Sequence, residues 1–178
     1  TSHFTYAIGF PLDDSWIHQT YARNLAQHGE WSFRVGIPSA GSTAPLWSAL
    51  LSIGFLLNLA PYIWSYFLGI VILFSLAVLC EWAVRKLVKS YNQKFPWVGI
   101  FIALEWHLAW AAMSGMETLL HGFIVTTVLI LLMTNSPRYL TLGLLAGLSV
   151  WIRPDGLTLL APIAFTIFFT GQDMRSRL

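Results

Sequence analysis

Charge is what this sequence has least of. Among its 178 residues only 10 are basic and 8 acidic, whereas roughly a quarter of a soluble domain is charged. An ordinary water-facing surface is therefore excluded. There is one cysteine, Cys80, so no intrachain disulfide can form, and its apolar setting reads as a small buried hydrophobe. The chain has no Walker loop, dinucleotide fingerprint, paired-cysteine motif or nucleophile elbow. It also lacks an initiator Met and a basic-then-apolar leader, and it stops at Arg175-Ser176-Arg177-Leu178, which reads as an excerpt of a longer chain. The net charge is only +2 and the basic residues form short clusters between apolar runs, so nucleic acid is not expected as a partner.

What is abundant is apolar and aromatic: 56% hydrophobic, 15% aromatic, mean hydropathy +0.64. Apolar runs approach about 20 residues, the length that crosses a bilayer. The expected fold is all-α, a polytopic transmembrane helical bundle with an outer-face loop that carries an amphipathic interfacial helix. Residues 1–43 form that loop and residues 44–178 the bundle. Ser15 to His28 supplies the amphipathic helix: Ile17, Tyr21 and Leu25 recur on one face, Gln19, Arg23, Asn24 and Gln27 lie elsewhere, and Gly29 ends it. A Trp and a Tyr on such a helix suit the water-lipid boundary, and packing against a neighbouring helix suits it equally. Gly36 through Pro45 reads as loop. Leu46 to Leu59 is short for a crossing, Tyr62 to Val84 is long enough, and Trp97 to Met113, Glu117 to Met133, Leu140 to Ile152 and Leu157 to Phe169 are further apolar helices.

Basic residues favour the cytoplasmic side of a membrane. Arg85, Lys86, Lys89 and Lys94, then Arg138, then Arg175 and Arg177 all fall on that side if Tyr62 to Val84 runs inward and each later helix crosses once. Three polar groups then meet on the outer face, provided Leu46 to Leu59 does not cross: Asp13-Asp14, Glu117, and Arg153 with Asp155. Asp at a helix start is a favourable cap, but one carboxylate meets that need, and a second can divide roles with it as base and as metal or positioning group. Ser114-Gly115-Met116-Glu117 matches a capping box, and Arg153-Pro154-Asp155-Gly156 is good turn chemistry, with Gly there to tolerate positive φ. The Arg153 guanidinium needs an anion, Asp155 or a phosphate. Glu81 and Arg85 read as a helical ion pair. Glu105, His107 and His121 lie deeper in the apolar runs, and His18 stands four residues after Asp14, at metal-ligand spacing but without a third ligand.

Asp13-Asp14-Ser15-Trp16-Ile17, Tyr21-Ala22-Arg23-Asn24-Leu25, Gly29 and Gly41-Ser42-Thr43-Ala44-Pro45-Leu46-Trp47 resemble the first outer loop of GT-C type membrane glycosyltransferases, the arabinofuranosyltransferase-like and mannosyltransferase-like bacterial members above all. Ser114-Gly115-Met116-Glu117-Thr118-Leu119-Leu120 and Gly147 through Gly156 are similar to later segments of that family, in the same order. The resemblance implies an enzyme of the bacterial plasma membrane and cell envelope. It would transfer a sugar from a polyprenyl-phosphate donor to a glycan, lipid or protein acceptor on the outer face, by inversion. It also implies Asp13 or Asp14 as base, Asp13 first, with Arg153 and Arg23 neutralising the donor phosphate. His18, Glu117 and Asp155 would then be substrate-site residues. Some members need a divalent cation, and nothing in these residues fixes a metal site. The family's usual first span, ahead of the acidic pair, is missing here, and Thr43-Ala44-Pro45 departs from the Ser or Asn that relatives place before that Pro. A transporter or flippase-like protein, with Glu105, His107 and His121 as its pathway, and a non-catalytic membrane subunit are the alternatives.

Overall fold

A computed structural model of the chain describes residues 9–134 and 139–169. Arg138, Arg175 and Arg177, three of the residues used for orientation, lie outside them. The described residues are helical, with no strand and a single isolated bridge between Arg34 and Ile37. The helices are α1 (Asp14–His28), α2 (Pro45–Leu56), α3 (Pro61–Leu87), α4 (Trp97–Leu104), α5 (Trp106–Met113), α6 (Thr118–Met133), α7 (Tyr139–Ile152) and α8 (Leu160–Phe169), the last preceded by a 3-10 turn, Pro154–Leu159.

Local chemistry sets most of these ends. Gly29 closes α1 in the left-handed conformation at φ 67, its N–H returning to Leu25 O and the next N–H, of Glu30, to Asn24 O, as a residue without Cβ can do at no steric cost. Pro45 and Pro61 each open a helix, where a missing N–H leaves nothing unsatisfied. Asn58 takes φ 55 between α2 and α3, and the Leu59 N–H returns to Gly54 O at 2.9 Å.

Of these helices, only α3 is long and apolar enough to cross a membrane; α2, α6 and α7 are shorter apolar helices. At about 1.5 Å per residue, α3 exceeds a hydrocarbon core of roughly 30 Å and α2 falls well short of it. Trp97 to Met113 is not one helix as expected. Glu105 is extended (φ −64, ψ 121) and its carboxylate accepts from the Leu108 N–H at 2.9 Å, so it caps α5 instead of continuing α4. A side chain that competes for backbone donors can break an apolar helix in this way. Glu105 and His107 therefore sit at a break, 2.6 Å apart, with the His107 side chain 69% exposed.

Three small apolar clusters hold the helices together. Ala22, Ala44, Trp47 and Leu51 join α1 to α2. Leu76, Ala112 and Leu119 join α3, α5 and α6. Ile124, Val128, Leu142, Ala146, Ile152, Leu159 and Ile163 join α6, α7, the 3-10 turn and α8. Close backbone approach does the rest. A Cβ on Gly69 would overlap the Ala112 carbonyl, and one on Gly99 would lie 3.2 Å from the Ala77 carbonyl, so α3 seats α5 and α4 through small residues, as apolar helices in lipid do.

The Pro61 end of α3 carries α2 and the segment that leads into α1. Trp64 Nε1 donates to Leu50 O at 3.0 Å, and the Tyr66 hydroxyl donates to Gly9 O at 2.8 Å. The basic residues Arg85, Lys86, Lys89 and Lys94 belong to the opposite end, where Arg85 meets Glu81 at 2.7 Å.

Candidate functional site

The site forms where the start of α1, the first turns of α2, the turn Ser114–Glu117 and the residues after α7 converge. Ser15 Oγ donates to Ser114 O at 2.7 Å and Trp47 Nε1 donates to Gly115 O at 2.9 Å, both buried. Gly115 has φ +78, and the Phe10 ring occupies the place a Cβ would take. The turn is thus clamped from three sides, which fixes the residue that follows it.

That residue is Glu117, 3% exposed. Its Oε2 lies 3.2 Å from His18 Nε2, and its Oε1 lies 3.6 Å from an Arg153 guanidinium nitrogen. The other side of the His18 ring, Nδ1, is 3.3 Å from Ser48 Oγ, which in turn is 3.0 Å from Ser42 Oγ. Ser48 and His18 are hydrogen-bonded through Nδ1, while Nε2 faces the Glu117 carboxylate at ion-pair distance without hydrogen-bond alignment. Ser42, Ser48, His18, Glu117 and Arg153 form one polar chain, buried at Ser48, His18 and Glu117 and half-buried at its two ends. Burial raises the Glu117 pKa, but the His18 ring beside it, a backbone N–H and the attraction of Arg153 outweigh it and leave the pKa lowered. Glu117 precedes α6 and is held as a carboxylate.

The capping box expected at Ser114 to Glu117 does not form. Ser114 closes α5 instead, donating to Ala111 O at 2.8 Å and accepting from the Met116 N–H at 3.2 Å. Glu117 stands at the cap position of α6 without a capping bond, because its carboxylate is directed to His18 and Arg153.

Arg153 is extended (φ −152, ψ 141) at the head of the 3-10 turn, and its second terminal nitrogen lies 3.4 Å from Asp155 Oδ2. Neither carboxylate engages it at close bidentate distance, and its side chain stays 35% exposed. The guanidinium keeps donors for another anion. Gly156 is not needed for positive φ, as the turn reading supposed. A Cβ there would overlap the Ser149 carbonyl carbon, so Gly156 lets the turn lie against the end of α7.

Asp13 and Asp14 are exposed at the start of α1. Asp13 has helical dihedrals (φ −66, ψ −34) and makes no capping bond, while Asp14 places its negative charge in the first turn of α1, so of the structural role weighed for the pair only the favourable charge at the helix start is met. His18, one turn on, faces Glu117 and Ser48 and does not share a metal site with Asp14; among the described residues no group of three or more His, Cys, Asp or Glu could hold a metal ion. Arg23 is exposed and reaches only Asn24 Oδ1, at 3.4 Å, away from the Glu117 cluster. The buried face of α1 is also more polar than expected. Gln19 and Asn24 are buried with Ser15, His18, Tyr21 and Ala22, against α2. Asn24 Nδ2 donates to Ser32 O at 2.9 Å and Phe33 O at 3.2 Å. The Tyr21 hydroxyl lies 2.6 Å from Ser39 Oγ and accepts from the Gly41 N–H at 2.8 Å.

Ser15, Ser42, Ser48 and Trp47 were not singled out individually by sequence reasoning. For Ser42, Trp47 and Ser48 the signal was a run of small hydroxyl residues and one Trp bracketing Pro45; Ser15 carried none beyond its place after the acidic pair. An apolar groove of about 530 Å³, lined by Trp31, Pro45, Leu46, Ala49, Val150 and Trp151, opens beside the residue that precedes Arg153 by two. No family model matches the chain, and no curated protein or solved structure matches it.

Proposed function

We propose that the chain belongs to a multi-pass membrane glycosyltransferase of the bacterial plasma membrane that moves a sugar from a polyprenyl-phosphate donor to an acceptor on the outer face. The observation that carries this reading is Arg153 held 3.6 Å from Glu117 and 3.4 Å from Asp155, with the exposed acidic pair Asp13-Asp14 at the start of α1, whose Ser15 donates to the turn before Glu117.

Each group has a chemical task in that reading. Asp13, or Asp14 beside it, accepts the proton of the acceptor hydroxyl as that oxygen attacks the sugar's anomeric carbon. The bond from that carbon to the donor phosphate breaks, and the phosphate leaves with the electron pair. Arg153 meets the growing negative charge with guanidinium donors that Glu117 and Asp155 leave unsaturated. Glu117 orients Arg153, and His18 with Ser48 orients Glu117. The apolar groove beside Trp151 takes the start of the prenyl chain. Arg23, exposed and in contact with Asn24, is left out of the donor site. A divalent cation, if the reaction uses one, would be held by Asp13 or Asp14 together with donor oxygens.

The test is transfer from a polyprenyl-phosphate sugar donor in membranes that contain the full-length protein. Asp13→Asn is expected to lower the rate about 100-fold or more, the usual worth of a general base. If Asp13→Asn and Asp14→Asn both leave the rate near normal, the acidic pair is not the base.

A further inference from the structure

The other end of α3 carries a feature that the transferase reading does not use. Phe74, Val78 and Trp82 stand one turn apart on α3, each about half exposed or more, as a continuous apolar ridge. A groove lies on each side of it. One, of about 410 Å³, is closed by Pro96, Ile100 and Ala103 of the α4 region. The other, of about 440 Å³, is closed by Leu79 and by Phe123 of α6. Both grooves share the ridge residues and run toward the same basic terminus.

That terminus holds Arg85, Lys86, Lys89 and Lys94 within ten residues, with Glu81 as the only nearby acid in the same stretch of chain. Glu81 is already engaged. Its Oε2 accepts from the Val98 and Gly99 N–H groups at 3.0 and 3.1 Å, and its Oε1 meets Arg85 at 2.7 Å. Lys86 is exposed, with its ammonium 4.9 Å from the centre of the Trp82 ring, at the point where ridge and basic end meet. Two parallel apolar grooves that end on surplus positive charge match a ligand with two hydrocarbon chains and one anionic head.

We propose that this end of α3 binds an anionic phospholipid, with its phosphate on Lys86 and Arg85 and one acyl chain in each groove beside the Phe74, Val78 and Trp82 ridge. A zwitterionic lipid fills the grooves equally well but offers the basic end no net charge, so the site selects by headgroup. The site depends on α3 lying in a membrane and not on the transferase reading.

The experiment is native mass spectrometry of the full-length protein in detergent, with dioleoyl phosphatidylglycerol and dioleoyl phosphatidylcholine offered in equal amounts. Phosphatidylglycerol is expected to be retained preferentially. Lys86→Gln, an exposed substitution that leaves Glu81 and its partners intact, should cut that preference about five-fold, the worth of one basic side chain at an anionic lipid surface. Ala103→Trp should lower phosphatidylglycerol occupancy by filling one groove with all the charges in place, and a melting curve without lipid confirms that each variant is folded. Equal retention of the two lipids overturns the proposal, as does a preference that survives Lys86→Gln combined with Arg85→Gln. Absence of any bound lipid also overturns it, since another helix of the full-length protein would then cover the ridge.

Discussion

Glu117 is the side chain on which the polar cluster turns. A carboxylate this buried costs several kcal/mol to desolvate, and it persists only with partners in place. Glu117→Gln keeps the shape and removes the charge, leaving His18 and Arg153 facing a neutral amide; a loss of about 3 kcal/mol of stability is expected, to be read from chemical denaturation. The sign of the pH effect follows from the lowered pKa of Glu117. The unfolded chain holds its proton to higher pH than the folded one, so the contribution is complete above the ordinary carboxylate range, about pH 4.3, and is lost as pH falls through the lowered folded value. Stability measured against pH should show a steeper acid limb in the native protein than in Glu117→Gln, where other carboxylates, the lowered Glu105 among them, still contribute. Arg153→Lys retains charge but loses the planar fork, and about ten-fold weaker use of the phosphate donor is expected in a transfer assay. Unchanged donor use would leave Arg153 with its ion pairs alone. The exposed contact to Asp155 contributes under about 1 kcal/mol, so Asp155→Asn should alter stability little.

At the scale of elements, backbone proximity matters more than side-chain volume. Gly69 has no room for a Cβ against the Ala112 carbonyl. Gly69→Val must push α5 away from α3, and a loss of about 2 kcal/mol or more is expected from such overpacking, measured as a lower melting temperature. α3, α6 and α7 were legible in the sequence to within a few residues, because long apolar runs and Pro or Gly punctuation are local signals. Of the polar residues grouped by charge placement, Glu117 and Asp155 each lie near Arg153, and among the described residues no contact ties Asp13-Asp14 to them. The inside of α1 was not legible. An apolar count assigns Gln19 and Asn24 to solvent, yet Asn24 is buried because it holds the loop at Ser32 and Phe33, a partnership set by tertiary structure. The break at Glu105 and the misread capping box have one cause: a carboxylate in an apolar chain goes to the strongest donors within reach, and those donors depend on the fold.

For the whole molecule, the telling arrangement is polar: the acidic pair and the Glu117 cluster at one end of α3, Lys86 and Lys89 at the other. If α3 spans the membrane, labelling should divide the chain. Cysteines placed at Trp16 and at Lys89, in a Cys80→Ser background, are expected to react with an impermeant maleimide from opposite sides of intact cells and inverted vesicles. Trp16 is 45% exposed and suits such a probe. Reaction of both from one side would remove the outer-face site and the orientation together.

The bond from Ser15 to Ser114 spans 99 residues of sequence, and this sets a schedule for biogenesis. At a synthesis rate of about 5 to 20 residues per second, the ribosome needs roughly 5 to 20 s to reach Ser114 after it has made Ser15. Throughout that interval Ser15 lacks the carbonyl it donates to, although α2 is already made and covers the rest of the buried face of α1. The contact of α1 with the α5 to α6 turn is therefore the last of its contacts to close.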